Sequence, residues 1–133
     1  MALKTLTSLI AEARELPDPE AQAVWLRNKR RLAPDDKSIR DMKNFVPGCE
    51  HPVWLSYNLQ HNSIEFRFSC DHIDSQGVAG IIVEALSGLN AKEIRNTDFS
   101  EFRDIARYLN NRQQRTLNAM LNRIKDIIGE PHG

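Results

Sequence analysis

The chain has 133 residues, with 18 basic and 18 acidic side chains and a formal net charge of zero. A zero net charge argues against a nucleic-acid binder or an anionic-membrane binder, because it removes the long-range attraction those partners require. No apolar run approaches the roughly 20 residues of a membrane span. A chain of this length buries about two-thirds of its unfolded surface, and we expect one domain over residues 1–133.

Two helices are predicted in the first quarter of the chain. Apolar residues at helical spacing indicate a helix over residues 3–15, and Pro17 ends it. Asp18 and Pro19 are typical of an N-cap followed by a first-turn proline, so a second helix is expected to about Leu32. The apolar positions of the first helix are Leu3, Leu6, Ile10 and Ala13.

Two features bear on the compartment. The first 18 residues are amphipathic and carry acidic side chains early, which is unlike a secretory signal peptide. The chain has only two cysteines, too few for a disulfide framework. We therefore expect a cytoplasmic protein with reduced thiols.

The centre of the chain has a period of two. Apolar and polar residues alternate over residues 53–60 and again over residues 64–71, which predicts a β-hairpin with one buried face. The simplest register sets Leu55 opposite Phe68, since a slip of one residue would expose every apolar side chain. Residues 43–46 are expected to add a third strand.

Helices are predicted again after the hairpin. Apolar positions recur at helical spacing, Asn90 and Glu93 form a capping-box pattern, and Gly129 ends the last helix. Helices, a hairpin and more helices, without βαβ alternation, predict an α+β domain in which helices pack on a small antiparallel sheet.

The segment VPGCEHPVWL contains one of the two cysteines. Pro47 and Gly48 suit the two central positions of a type II turn, which leaves Cys49 at the exit of the turn. His51 follows two residues later, and Pro52 keeps it extended. A nearby imidazolium favours a thiolate, so we predict an accessible, reactive thiol. The alternative is a small apolar residue that happens to be cysteine, because free cysteines are often buried.

A second interpretation treats both cysteines as metal ligands. Cys49 and His51 share a C-x-H spacing with Cys70 and His72, and the hairpin register places all four on one side of its open end. Two cysteines and two histidines suit tetrahedral zinc. The alternative is coincidence, with Cys70 in the core, where it continues the buried row of the second strand.

The cysteine segment also resembles a known family. PGCEHPVWL is similar to the P-G-C-x-S-x-V-W segment of the SufE family, sulfur-acceptor proteins that partner PLP-dependent cysteine desulfurases. Two strands follow the tryptophan, residues 69–72 resemble an S-D-A turn before an apolar helix, and Asp98 and Phe99 match a later pair. The resemblance spans about residues 25–128. The family pattern G-L-x-A-M is matched in the final helix by Leu117, Ala119 and Met120.

This resemblance implies a SufE/IscU-like α+β fold and a persulfide acceptor at Cys49. The desulfurase would supply the sulfur, and an iron–sulfur cluster scaffold or another thiol acceptor would receive it. The implied protein is a sulfurtransferase-type carrier that acts with the desulfurase rather than a stand-alone enzyme. No metal or cofactor is implied for the carrier itself, because the pyridoxal chemistry belongs to the desulfurase.

Other residues are candidates around the thiol. Gly48 belongs to the matched motif, and Asp71, Arg112 and Arg115 are candidate neighbours or partner contacts. His51 is the candidate modulator of the thiolate. The family stretch L-[ST]-P-x-R is LNNRQQ here, so Arg112 is the candidate for the family arginine, although that arginine falls in register on the next residue.

A third interpretation is a non-catalytic docking module that regulates a desulfurase and makes no use of the thiol. The basic run at residues 27–31 is its candidate contact. A run of this kind is also compatible with a solvated helix end. Trp54 lies on the otherwise polar face of the hairpin, where it is predicted either to pack under a helix or to belong to a partner surface.

Overall fold

The structure is a computed structural model that describes residues 4–97 and 99–129. The predicted helix position Leu3 and the motif residue Asp98 lie outside these ranges. The α-helices and strands are α1 Lys4–Arg14, α2 Pro19–Asn28, β1 Val53–Gln60, β2 Ser63–Cys70, α3 Ile73–Leu86, α4 Ala91–Arg95, α5 Ser100–Ala106 and α6 Asn111–Gly129. Short 3-10 helices occupy Lys29–Leu32, Lys37–Ile39 and Met42–Asn44. The predicted α+β class is confirmed.

Local signals set the start of α2 as the sequence predicts. The backbone N–H of Ala21 donates to the Asp18 side chain at 2.8 Å, and Pro19 occupies the first helical position. The helix changes to a 3-10 turn at Lys29 instead of continuing as α-helix to Leu32. The prediction of a second helix in this region is therefore confirmed, with a tighter last turn.

The basic run at the end of α2 is engaged within the fold. Arg27 pairs with Asp74 of α3 at 3.0 Å, and Lys29 pairs with Glu12 of α1 at 2.8 Å. Arg30 donates to the backbone carbonyl of Arg27 at 2.8 Å. Arg27 thus connects α2 to α3, and Lys29 connects the following 3-10 turn to α1, which gives these two residues a structural role.

The hairpin has the predicted register, with Leu55 opposite Phe68. Its two turn residues, His61 and Asn62, both have positive φ, as a tight type I′ hairpin turn requires. The predicted third strand is wrong: within the described ranges the sheet has two strands, and residues 43–46 contribute only an isolated bridge between Phe45 and Trp54. Residues 42–44 form a 3-10 helix instead, so their backbone bonds are satisfied locally.

The two faces of the hairpin are covered differently. One face carries the apolar row that packs beneath α3, and Phe68 in this row is 1% exposed. The other face is crossed by the loop over residues 33–45. This loop buries Ser69 completely, although the alternation of the strand predicts a polar, solvent-facing position there.

None of the described helices combines the length and the apolar character needed to cross a bilayer. Helix α6, the longest of them, instead buries one face against the rest of the fold, including α3 and α4. The edge of this buried face, in the N-terminal half of the helix, lies beside the segment that carries Cys49. This helix therefore positions the candidate site.

Candidate functional site

The cysteine turn, residues 46–50, lies between the loop over residues 33–45 and the start of β1 at Val53. Its first residue is anchored to the hairpin, because the Val46 N–H donates to the carbonyl of Val53 at 2.9 Å. Gly48 has a φ of +95°, in the region that a type II turn requires at its third residue. Cys49 follows with a half-buried side chain that packs against the edge of the core.

One face of α6 contacts the cysteine turn along its length. The three α6 positions are spaced by four and then three residues, so they lie on one helix face. The turn runs antiparallel to this face. The pairs are Glu50 with Arg112, Cys49 with Thr116, and Gly48 with Ala119.

The contact at Thr116 is absent from the sequence-based predictions. Thr116 is 1% exposed, and its hydroxyl lies within hydrogen-bonding reach of the Cys49 thiol. The only sequence signal was its place one residue before Leu117, within the stretch that matches the family pattern. Because the two residues are far apart in the chain, only the packing of α6 against the turn reveals the contact.

Burial decides the acidity of Cys49. Its half-buried position raises the pKa of the thiol, and the hydrogen bond from Thr116 opposes that rise without cancelling it. The burial of Cys49 thus works against the predicted thiolate, and the predicted help from an imidazolium stays a prediction. Burial therefore favours the protonated thiol of Cys49, which must lose its proton before it can act as a nucleophile.

Cys70 is in the core, as the strand pattern predicts. It is fully buried, and its backbone N–H donates to the Asp35 side chain at 2.9 Å. Burial, reinforced by the negative charges of Asp35 and Asp71, raises the pKa of the Cys70 thiol to about 12. Cys70 is thus an unreactive side chain under ordinary conditions.

The two histidines are stacked on each other. The rings of His51 and His72 lie 4.1 Å apart between centroids, with an angle of 8° between their planes. Within the described part of the chain, His51 Nε2 and His72 Nδ1 are both buried without a hydrogen-bond partner. His51 directs its ring at His72, so its predicted action on the Cys49 thiolate stays a prediction.

The parallel stacking of the two histidine rings argues against the zinc alternative. The lone pairs of an imidazole lie in its ring plane, and two parallel planes cannot converge on one ion at about 2.0–2.1 Å. Throughout residues 4–97 and 99–129, no three histidine, cysteine, aspartate or glutamate side chains are arranged to hold a metal. As they are placed in this structure, Cys49, His51, Cys70 and His72 do not form a zinc site.

Asp71 has a structural partner. Its carboxylate receives two hydrogen bonds from Arg40, at 2.7 Å and 3.2 Å, and this guanidinium holds the pKa of Asp71 below its usual range. Arg40 also donates to Ser69 at 2.8 Å and lies over the Trp54 ring, 4.7 Å from the centroid. The loop, rather than a helix, therefore covers Trp54, with Phe45 at its edge.

The arginine candidates on α6 differ in their surroundings. Arg112 pairs with Glu50 at 2.7 Å and thus contacts the cysteine turn directly. Gln113, where the family arginine falls in register, is buried and caps the helix through reciprocal bonds with Asn110 at 2.8 Å and 2.9 Å. Arg115 is exposed on α6 and stays a predicted partner contact.

Gly48→Ala tests whether the positive φ of the cysteine turn is needed. An added Cβ would meet Ala119 at an ordinary 3.6 Å, so the expected cost comes from the backbone and is about 1–3 kcal/mol. Gly88→Ala is the matched control, because Gly88 has a φ of +89° and also has room for a Cβ. We expect urea unfolding to show similar losses for both, whereas only Gly48→Ala should change the alkylation rate of Cys49. Equal alkylation rates in the two variants would contradict a role for the turn in presenting the thiol.

Comparisons with known proteins identify the family of the chain. The family described as "SufE: Fe-S metabolism associated domain" matches residues 7–128. A stretch of 101 residues is 32% identical to SufE-like protein 2, chloroplastic, of Arabidopsis thaliana, and covers 72% of this chain and 39% of that protein. A stretch of 92 residues is 30% identical to Quinolinate synthase, chloroplastic, of Nicotiana tabacum, and covers 67% of this chain and 13% of that protein. The alignments thus span well under half of the length of these curated relatives.

A solved structure shows the same fold. The solution structure of a hypothetical protein from Thermus thermophilus superposes with a TM-score of 0.76 at 16% identity, covering 97% of this chain and 96% of that one. At this identity the likeness concerns the fold alone. The family match, in contrast, takes in the cysteine turn and the face of α6 beside it. The chain belongs to the SufE family of Fe–S metabolism associated domains.

Proposed function

We propose that this chain accepts sulfane sulfur on Cys49 from a PLP-dependent cysteine desulfurase and passes it to an iron–sulfur cluster scaffold or another thiol acceptor. The observation that carries the proposal is the contrast between the two cysteines of the chain. Cys70 is fully buried, whereas Cys49 is half-buried on a turn between exposed residues. Cys49 is therefore the thiol that a partner protein can reach.

The transfer is a thiol exchange on sulfane sulfur. The Cys49 thiolate attacks the outer sulfur of the desulfurase persulfide, and a new S–S bond forms at Cys49. The S–S bond of the desulfurase breaks, and its cysteine leaves as a thiolate that takes up a proton. One S–S bond replaces another, so the step needs no external oxidant or reductant.

The raised pKa of the Cys49 thiol is compatible with a carrier that reacts only when its partner is bound. Oxidation of cysteine follows thiolate character and exposure, so a protonated, half-buried thiol is protected between transfers. The Cys49 thiol would then lose its proton when the desulfurase binds. Both cysteines are free thiols, as a reducing compartment favours, and we propose the cytoplasm as the site of action.

Mass spectrometry tests the proposal directly. The chain is incubated with a cysteine desulfurase and L-cysteine, and one added sulfur atom that a thiol reductant removes is the expected result. Trypsin should cut after Lys43, Arg67 and Lys92, which places Cys49 and Cys70 on different peptides. Sulfur on the peptide of residues 44–67 is expected. Sulfur on the peptide of residues 68–92, or none above the control without L-cysteine, would contradict the proposal.

A further inference from the structure

The hydroxyl of Thr116 has two acceptors within reach. It lies 3.4 Å from the backbone carbonyl oxygen of Arg112, one helical turn earlier on α6. That distance is long for a hydroxyl donor, whose bonds are usually about 2.7–2.8 Å. The second acceptor is the Cys49 sulfur, because the contacts of Glu50 with Arg112 and of Gly48 with Ala119 place Cys49 opposite Thr116. Because the bond within the helix is weak, little is lost when the hydroxyl turns towards the sulfur.

The charged groups described near Cys49 either carry the wrong sign to stabilise a thiolate or already have a partner. A neutral hydrogen-bond donor is therefore the nearest group that can stabilise it. On the turn itself, Glu50 is negative, and it already pairs with Arg112 of α6 at 2.7 Å. His51 is stacked on His72, at the start of α3. From β2 the nearby titratable group is Cys70, a second thiol. Among these described neighbours, no cation is thus left to compensate a charge at Cys49.

We propose that Thr116 is the hydrogen-bond donor that stabilises the reacting sulfur: its hydroxyl leaves the Arg112 carbonyl and donates to Cys49 Sγ when the thiolate forms. The placement of Cys49 beside Thr116 stands on the contacts of the turn with α6, at Arg112 on one side and Ala119 on the other, whereas the use of Thr116 in sulfur transfer rests on the proposed function. Donation moves no proton between Thr116 and Cys49, since the thiol proton leaves to water or to the departing desulfurase thiolate.

Thr116 is well placed for this role. It is 1% exposed, so its hydrogen bond to the sulfur is shielded from water. A hydrogen bond to a charged acceptor is stronger than one to a neutral acceptor, so the hydroxyl gains more from the thiolate than from the carbonyl. The family pattern G-L-x-A-M has glycine at this position, so the hydroxyl is a feature of this chain and not of the pattern.

The test compares Thr116→Val with Thr116→Ser. Valine keeps the shape of threonine and removes the hydroxyl, whereas serine keeps the hydroxyl. The readout is the rate of alkylation of Cys49 by iodoacetamide against pH, followed on the peptide of residues 44–67. We expect the midpoint of the Thr116→Val profile to move up by about one to two pH units. The Thr116→Ser profile should stay within a few tenths of a unit of the wild type.

Two outcomes would overturn the inference. One is an unchanged midpoint in Thr116→Val, and the other is an equal shift in both variants, which would indicate packing rather than donation. Should the valine variant not fold, as judged by circular dichroism, Thr116→Ala gives the same readout. Sulfur loading of the wild type is measured separately. A shifted midpoint without loading contradicts the proposed function alone, and loading with an unshifted midpoint contradicts the role of Thr116 alone.

Discussion

Cys49→Ser is expected to abolish sulfur acceptance and the acceleration of desulfurase turnover that depends on it. Serine differs by one atom and fits the half-buried site, but its hydroxyl is not ionised near neutral pH and cannot carry a persulfide. Desulfurase turnover on L-cysteine with the variant should equal that of the desulfurase alone. Transferred sulfur, measured by mass spectrometry, should fall below detection.

The matched control is Cys70→Ala. Cys70 is fully buried and its pKa is raised to about 12, so its removal should leave sulfur acceptance unchanged despite some loss of stability. Binding of Cys49→Ser to the desulfurase should also persist, since the contact surface is retained. If Cys49→Ser still accelerates turnover fully, the carrier role is wrong and the docking-regulator interpretation is correct.

Gly77→Ala is expected to remove a large part of the stability of the fold. A Cβ at Gly77 of α3 would overlap the carbonyl oxygen of Leu26, at the crossing of α3 with α2. Atoms do not approach so closely, and the obstacle is backbone, so the two helices must separate. Overpacking a core costs typically about 1–3 kcal/mol, and we expect at least the upper end. That is a large share of the about 5–15 kcal/mol by which domains are stable. Urea unfolding measures the loss.

Gly129→Ala provides the contrast. Gly129 lies in the last turn of α6 with nothing within 4 Å of an added Cβ. Because alanine is the better helix former by up to about 1 kcal/mol, the variant should match or slightly exceed the wild type in stability. A Gly77→Ala variant within about 0.5 kcal/mol of the wild type would show that α3 and α2 do not approach as closely as described.

The elements that the sequence predicted well depend on neighbours a few residues away. The period of two over the hairpin determined the register of Leu55 with Phe68, because a slip would have exposed the whole apolar row. The caps at Asp18 and Asn90 were likewise readable, since a cap is formed with backbone groups within the first turn. The resemblance carried by PGCEHPVWL pointed to the family that the match over residues 7–128 shows.

The predictions that failed concern contacts made across the chain. The sequence placed residues 43–46 in a strand, but the loop turns into a 3-10 helix as it crosses the hairpin face over Trp54. Where the loop crosses the hairpin, Arg40 bonds to Ser69 and Ser69 is buried. The alternation of the strand alone predicts an exposed side chain at this position. The C-x-H spacing suggested metal ligands, whereas the packing stacks the two imidazoles.

The amino-acid sequence by itself determined the fold class, the hairpin register, the turn that carries Cys49 and the family. Those features arise from periodicity, capping and turn preferences, which act between residues close in the chain. Only the tertiary structure decided the burial of Cys49, which raises the pKa of its thiol, and its place beside Thr116. Both depend on α6, which packs against the turn from the far end of the chain, and burial and hydrogen bonding are properties of that packed environment.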